Sequence, residues 1–318
     1  MSARIPLTLI LVALAAVLPA RAAERIERRD FSASPGTTLK IDTYRGGIDV
    51  TQSPDEQMHV EIRIDPGTDD RAEADRILQT LQLDIRQAGS VISITARNPT
   101  ETVVHFAWQK SRKVLLSYAV TMPPACNLDL TTDDGGVAVQ GIMANVVGNM
   151  DVKARKGGVF FRSVEGNIKA IVDTGDIVVS RCTGSVDLKA TVGSIRVGTV
   201  GGFAELRVTN GDIELQHALG GAKVAGTAGE ILVGFPKTLN RDSSVSSDGG
   251  SIVVRLDPAV HCTIQASAVW GRVQTTLPIT VEAGGDGKKS LKGRLNGGGA
   301  LLKLHADGGN LRIEPPPI

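Results

Sequence analysis

The chain has 318 residues, with 35 Lys and Arg against 34 Asp and Glu, a net charge of +1, and no polybasic run. That balance argues against a nucleic-acid partner, and an aromatic content of 3% leaves few stacking platforms for bases or sugars. The three cysteines, Cys126, Cys182 and Cys262, are an odd number and form no disulfide framework, although a Cys126–Cys262 pair stays open.

Residues 1–22 read as a signal peptide: a basic start, an apolar run over 5–18, and Ala20-Arg21-Ala22 as the small-residue cleavage site. The run is short for a membrane span, and no cysteine follows it for lipid attachment. The expected product is exported, either periplasmic or secreted to the cell surface, with no transmembrane segment after cleavage. Residues 24–128 read as a β-rich entry or cap segment, with alternating strands over 39–43, 46–50, 58–64, 91–95 and 114–121. One helix is predicted over about 70–83, with Asp70 as N-cap and Glu73 completing a capping box. Ala74, Ile77, Leu78 and Leu81 form its apolar stripe. The loop before 114 carries His105, Phe106 and Trp108 beside Lys110, Arg112 and Lys113. It is either a cap that packs on the rest of the chain or a contact site for a partner or envelope polymer.

Residues 129–236 hold a ladder. Glycine falls at every ninth position: Gly148, Gly157, Gly166, Gly175, Gly184, Gly193, Gly202, Gly211, Gly220 and Gly229. The residues two and four places after each of them are all apolar, which is strand spacing with both side chains on one face. Six places after glycine, apolar Ala154, Val172, Ala190 and Val208 alternate with Ser163, Arg181, Thr199 and His217. Seven places after, the alternation reverses with Val164, Cys182, Val200 and Ala218. The unit is therefore 18 residues made of two unlike halves, one coil of a parallel β-solenoid with two main sheets. Cys182 falls in an inward column and should behave as a small buried hydrophobe.

Outward residues form columns. One reads Asp151, Lys169, Asp187, Glu205, Lys223; its counterpart on the other sheet reads Phe160, Val178, Arg196, Glu214, Leu232. The second is unusually apolar for a solvated face. Either another segment of the chain covers it, or Phe160, Val178 and Leu232 receive a partner. The turn glycines serve positive φ or close coil-to-coil approach, so Gly193 should tolerate substitution less well than Gly234, read as a loop residue.

Residues 237–318 read as irregular C-terminal coils and a cap, in which the pattern returns at Gly250, Gly271 and Gly309 and residues 291–300 form a hairpin around Asn296-Gly297-Gly298-Gly299. Trp270, at the end of an alternating strand, is expected to pack. The whole is one continuous all-β architecture with terminal caps over open sheet edges.

The units at 173–179, 191–197, 209–215 and 227–233, the early helix, and Leu295 to Gly299 followed by Gly308-Gly309-Asn310-Leu311 resemble the bacterial putative-adhesin family of β-strand repeat proteins. The resemblance spans nearly the whole mature chain. It implies a β-solenoid domain of unknown function with an adhesion label, and it brings no catalytic residues.

Chemical motifs are sparse. Calcium β-rolls need an aspartate ladder beside the turn glycines, but here those positions read Gly158, Asp176, Ser194, Asp212, Glu230 and Asn149, Asn167, Ser185, Phe203, Gly221. These are expected to satisfy local backbone groups. Asp151, Asp187 and Glu205 with Lys169 and Lys223 could supply paired carboxylates for a polysaccharide-active solenoid enzyme, but alternating ladder charge explains them. The histidines lack metal-ligand spacing, and no Gly-x-Ser-x-Gly elbow occurs, which leaves Ser-His-Asp chemistry to geometry. The reading is an exported, cofactor-free, non-enzymatic solenoid that binds an envelope protein or polysaccharide. The alternatives are a polysaccharide-active enzyme and a calcium-dependent module.

Overall fold

A computed structural model describes residues 24–52, 56–99, 114–140, 146–236, 238–282 and 288–317. The 18-residue repeat is a coil with one strand in each of two sheets. Met150 pairs in parallel with Ile168, Ile168 with Val186, Val186 with Ala204 and Ala204 with Ala222. On the opposite sheet Val159, Ile177, Ile195, Ile213 and Ile231 stack in the same way. The four-residue insertion before Gly157 shows as a register of 22 between Val137 and Val159.

The two halves differ because their ladders skip different residues. In the first sheet Ala154 pairs with Val172 and Lys156 with Thr174, so Arg155 is passed over. In the second, Phe161 pairs with Val179 and Ser163 with Arg181, so Arg162 is passed over. The skipped residue shifts the alternation and turns Val164, Cys182, Val200 and Ala218 inward. The inward columns Val152–Ala170–Leu188–Leu206–Val224 and Phe161–Val179–Val197–Leu215–Val233 are fully buried and merge into one core cluster that runs from Ala33 to Ile313. Each such Leu or Val side chain contributes roughly 1.5–3 kcal/mol on burial, so the interior columns supply the stability.

Both requirements proposed for the turn glycines are met at seven of the ten, whereas Gly184, Gly202 and Gly220 lack a positive φ and serve close coil-to-coil approach alone. Gly157, Gly175, Gly193, Gly211 and Gly229 all have φ between +111° and +143°. A Cβ on Gly193 would stand 2.1 Å from the Gly175 carbonyl oxygen one coil away. Gly234 departs from expectation. It lies in the strand Ile231–Phe235, and its Cβ would meet the Gln216 oxygen at 2.0 Å.

The ends do not follow chain order. At the N-terminal end the coil of Thr38–Thr43 and Gly47–Gln52 sits second. The later strands Val91–Arg97 and Leu115–Met122 flank it on the outside, and Asn127–Thr132 with Val137–Gln140 flank it on the inside. At the C-terminal end Ala300–Ala306 and Leu311–Glu314 insert between the coil of Ser243–Ser247 and Ile252–Leu256 and the outermost coil of Cys262–Ala268 and Val273–Thr275. Strand n therefore stacks on strand n+2 only in the middle. The sheets are parallel there, and three of their four edges are antiparallel, formed by Arg25–Ser32 with Gln57–Asp65, by Gln82–Ala88, and by Ser290–Leu295 with Thr280–Val281, while the fourth is the short parallel strand Val273–Thr275. These rims are charged or only two to three residues long, as suits an exposed sheet edge.

The expected hairpin over 291–300 is not one. Ser290–Leu295 pairs antiparallel with Cys262–Ala268, and Ala300–Ala306 pairs parallel with that same strand from its other side. The Asn296–Gly298 turn therefore arches over the start of the intervening strand. Asn296 takes φ +49° and its amide donates to the Pro258 and Val260 carbonyls at 2.7 and 2.9 Å.

The helix α1, Arg71–Thr80, crosses the N-terminal end between the strands Gln57–Asp65 and Gln82–Ala88. It buries Ala74 and packs Ile77 and Leu78 against the core. Asp70 accepts the N–H groups of Ala72 and Glu73 at 2.9 and 3.3 Å. Its own N–H donates to Thr68 Oγ1, and that hydroxyl donates to the Glu73 carboxylate, so Thr68 is interposed in the predicted capping box.

Candidate functional site

The polar corner residues form hydrogen-bonded ladders along the axis. Asn127 Oδ1 accepts the Asn149 N–H at 2.9 Å, Asn149 Oδ1 that of Asn167 at 3.2 Å, Asn167 Oδ1 that of Ser185 at 2.9 Å, and Ser185 Oγ that of Phe203 at 3.0 Å. On the other corner Asp176, Ser194 and Asp212 accept the N–H groups of Ser194, Asp212 and Glu230 in turn. Each side chain caps a backbone donor of the neighbouring coil, which gives these polar residues a structural task.

The charged column keeps its predicted register, Asp151 to Lys169 to Asp187 to Glu205 to Lys223. Lys223 Nζ reaches Glu205 at 3.5 Å, Glu205 also pairs with Arg207, and Lys189 reaches Asp187 at 3.8 Å. These partly exposed pairs contribute little individually. Beside them the asparagine ladder lines a shallow groove of about 600 Å³ that ends at Phe203, whose ring is covered by the Arg241 guanidinium at 5.1 Å.

The apolar column divides in two. Phe160 pairs with Ala138 on one side and Val178 on the other, and the three border a groove of about 440 Å³. Among the described residues, its lining consists only of strand and corner residues of this same sheet, so no covering segment lies over it. Leu232 stands apart. Arg196 and Glu214 separate it from Val178, a distance of about 14 Å at ordinary strand spacing. Arg196 is held by Asp176 at 3.1 Å. Leu232 joins Val253 in a second groove of about 430 Å³. His105, Phe106 and Trp108 lie outside the described residues.

Two features were not foreseen. Ser267 and His305 are register partners on adjacent strands. Ser267 Oγ lies 2.8 Å from His305 Nδ1, and His305 Nε2 lies 2.9 Å from Asp307 Oδ1. This nucleophile–base–acid string sits on an outer sheet face, with His305 and Asp307 each nearly half exposed. It appears only through the non-consecutive coil order, 38 residues apart in sequence. Trp270, expected to pack, is instead 84% exposed, because its turn belongs to the outermost coil among the described residues.

The cysteines are free and buried. Burial pushes the Cys182 and Cys262 thiols up to about 11 and raises that of Cys126. Cys182 lies in its inward column, with Sγ 3.1 Å from the Gly166 oxygen. Burial also raises the Tyr118 hydroxyl, which donates to Thr43 Oγ1 at 2.9 Å. Among the described residues no helix is long and apolar enough to cross a membrane.

Stacked glycine-cornered coils with ladder-bonded corners and capped, out-of-order ends define a two-sheet parallel β-solenoid. The chain belongs to the Toastrack DUF4097 family, whose model matches residues 36–314. It aligns with the solved structure of a putative adhesin from Parabacteroides distasonis ATCC 8503 at 12% identity and TM-score 0.48, over 92% of this chain and 98% of that one. A putative adhesin from Bacteroides fragilis NCTC 9343 aligns at 12% identity and TM-score 0.43, over 92% and 99%. A putative lipid binding protein from P. distasonis ATCC 8503 aligns at 14% and 0.43, over 91% and 96%. No curated protein matches the chain.

Proposed function

We propose that this chain is an exported, non-enzymatic scaffold of the bacterial envelope whose shaft binds an envelope protein or polysaccharide. The observation that supports it is the groove where Phe160 meets Val178 and Ala138. It is an apolar strip lined, among the described residues, by strand and corner residues of one sheet. Such a strip is what a docking surface of modest affinity requires. A glycan array and a pull-down from envelope extract with wild-type and Phe160→Lys chains test this. Saturable binding that Phe160→Lys abolishes without a change in melting supports it. Binding indifferent to that substitution, or release of a product from the bound ligand, defeats it.

Hydrolysis has one observation on its side, the Ser267–His305–Asp307 string. A fluorophosphonate probe that labels the wild type and spares Ser267→Ala would move the reading to an enzyme.

A further inference from the structure

The outermost coil carries a rigid apolar point. Trp270 is 84% exposed and its neighbour Val269 43% exposed, in the turn between Cys262–Ala268 and Val273–Thr275. The turn is fixed from below: the Val269 N–H donates to the Ala306 oxygen at 2.9 Å and the Trp270 N–H to the Asp307 oxygen at 3.0 Å. It is also bracketed. The Ala268 N–H donates to the Lys289 oxygen at 2.7 Å and the Val273 N–H to the Lys288 oxygen at 2.8 Å, which places both lysines along its flank. Arg272, exposed within the turn, is held through its N–H to Asn310 Oδ1 at 3.1 Å.

Single exposed apolar residues are ordinary on protein surfaces. A tryptophan held clear of the core by its pinned backbone, next to a valine, with exposed Arg272 in the same turn and exposed Lys288 and Lys289 on the segment bonded along its flank, is a different arrangement. An indole settles at the boundary between headgroups and acyl chains, and Lys and Arg beside it draw in anionic headgroups. We propose that this turn docks the C-terminal end of the solenoid on an anionic lipid bilayer, with Trp270 at headgroup depth and Arg272, Lys288 and Lys289 against the lipid phosphates. This surface is separate from the Phe160 groove and stands or falls without it.

The test uses the full chain carrying Trp108→Phe, which leaves Trp270 as the remaining one of the two tryptophans. Vesicles of equimolar phosphatidylglycerol and phosphatidylcholine should shift its emission to the blue and allow quenching by brominated acyl chains. Pure phosphatidylcholine should do neither. Each cation near such a surface is worth about fivefold in partitioning. Arg272→Gln, Lys288→Gln and Lys289→Gln together should therefore weaken vesicle binding by about a hundredfold. Emission unchanged by anionic vesicles overturns the proposal, as does a triple variant that binds like its parent. A blue shift with a soluble anionic polysaccharide but not with vesicles overturns it in favour of a polymer partner.

Discussion

Asn167 donates its side-chain amide to Asn149 Oδ1 at 3.1 Å and accepts the Ser185 N–H on its own Oδ1 at 2.9 Å, so one side chain joins three successive coils. Asn167→Ala should cost about 1 kcal/mol in urea unfolding, the net worth of a hydrogen bond to backbone. Asn167→Asp retains the acceptor for Ser185 and should cost less. Equal losses for the two variants would show that the ladder bond contributes nothing.

Gly193 and Gly36 both have positive φ, +138° and +88°, but only Gly193 faces a neighbouring carbonyl, whereas a Cβ on Gly36 meets nothing within 4 Å. Gly36→Ala should cost about 1 kcal/mol of backbone strain. Gly193→Ala adds a steric clash with the coil above and should cost more than about 4 kcal/mol. Thermal melts that rank the two together would remove close coil approach as the reason for the glycine.

The buried pair of Tyr118 and Thr43 gives an asymmetric prediction. Thr43 Oγ1 accepts from Tyr118 and donates to the Arg45 oxygen at 2.6 Å. Thr43→Val strands the Tyr118 hydroxyl in the core and should cost about 1–3 kcal/mol. Tyr118→Phe removes the polar group itself and should cost less than Thr43→Val.

Alkaline stability follows from the thiols. Their folded pKa values are raised, by burial, above the ordinary value of 9.0, and those of Cys182 and Cys262 reach about 11. A group raised in this way contributes fully below its unfolded pKa and loses that contribution as pH climbs to the folded one. Urea midpoints should hold up to about pH 9 and then fall toward pH 11. Cys182→Ala, which installs the residue that occupies the same column at Ala218, should fall less steeply over that range. A parallel fall would assign the effect elsewhere.

Because Ala300–Ala306 lies inside the outermost coil, removal of residues 300–318 should release two coils instead of one. Hydrogen exchange should lose protection over 262–275 and keep it over 150–233. Retained protection at 262–275 would mean that the outer coil pairs directly with Ser243–Ser247.

The regular coils were legible because burial alternates with a strict period and glycine marks each corner. The two-residue pattern after Gly148 through Gly229 states the register outright. The ends were not legible, for a physical reason. A strand such as Leu311–Glu314 has the same alternation wherever it is inserted, so pattern alone cannot place it between earlier coils. Arg25–Ser32 and Gln82–Ala88 are rim strands with few buried positions and give almost no alternation to read. The same ambiguity misled the reading of Trp270, which has the spacing of a packed residue on a coil that turns out to be last. The column Phe160, Val178, Arg196, Glu214, Leu232 keeps the register its spacing states, and Arg196 and Glu214 divide its apolar residues between two short grooves.

The order of the coils also decides where this molecule is free to change its length. Both ends are interlocked, so adding a unit there would break pairings that the chain makes across its own sequence. Between Gly148 and Gly229 the coils are interchangeable, each meeting only its neighbours in a fixed register of 18. Duplicating one such unit would extend the shaft by about 4.8 Å and leave both termini untouched. The middle of the molecule is thus a ruler that tandem duplication can lengthen in steps of one strand spacing, with the Trp270 point carried outward by the same amount.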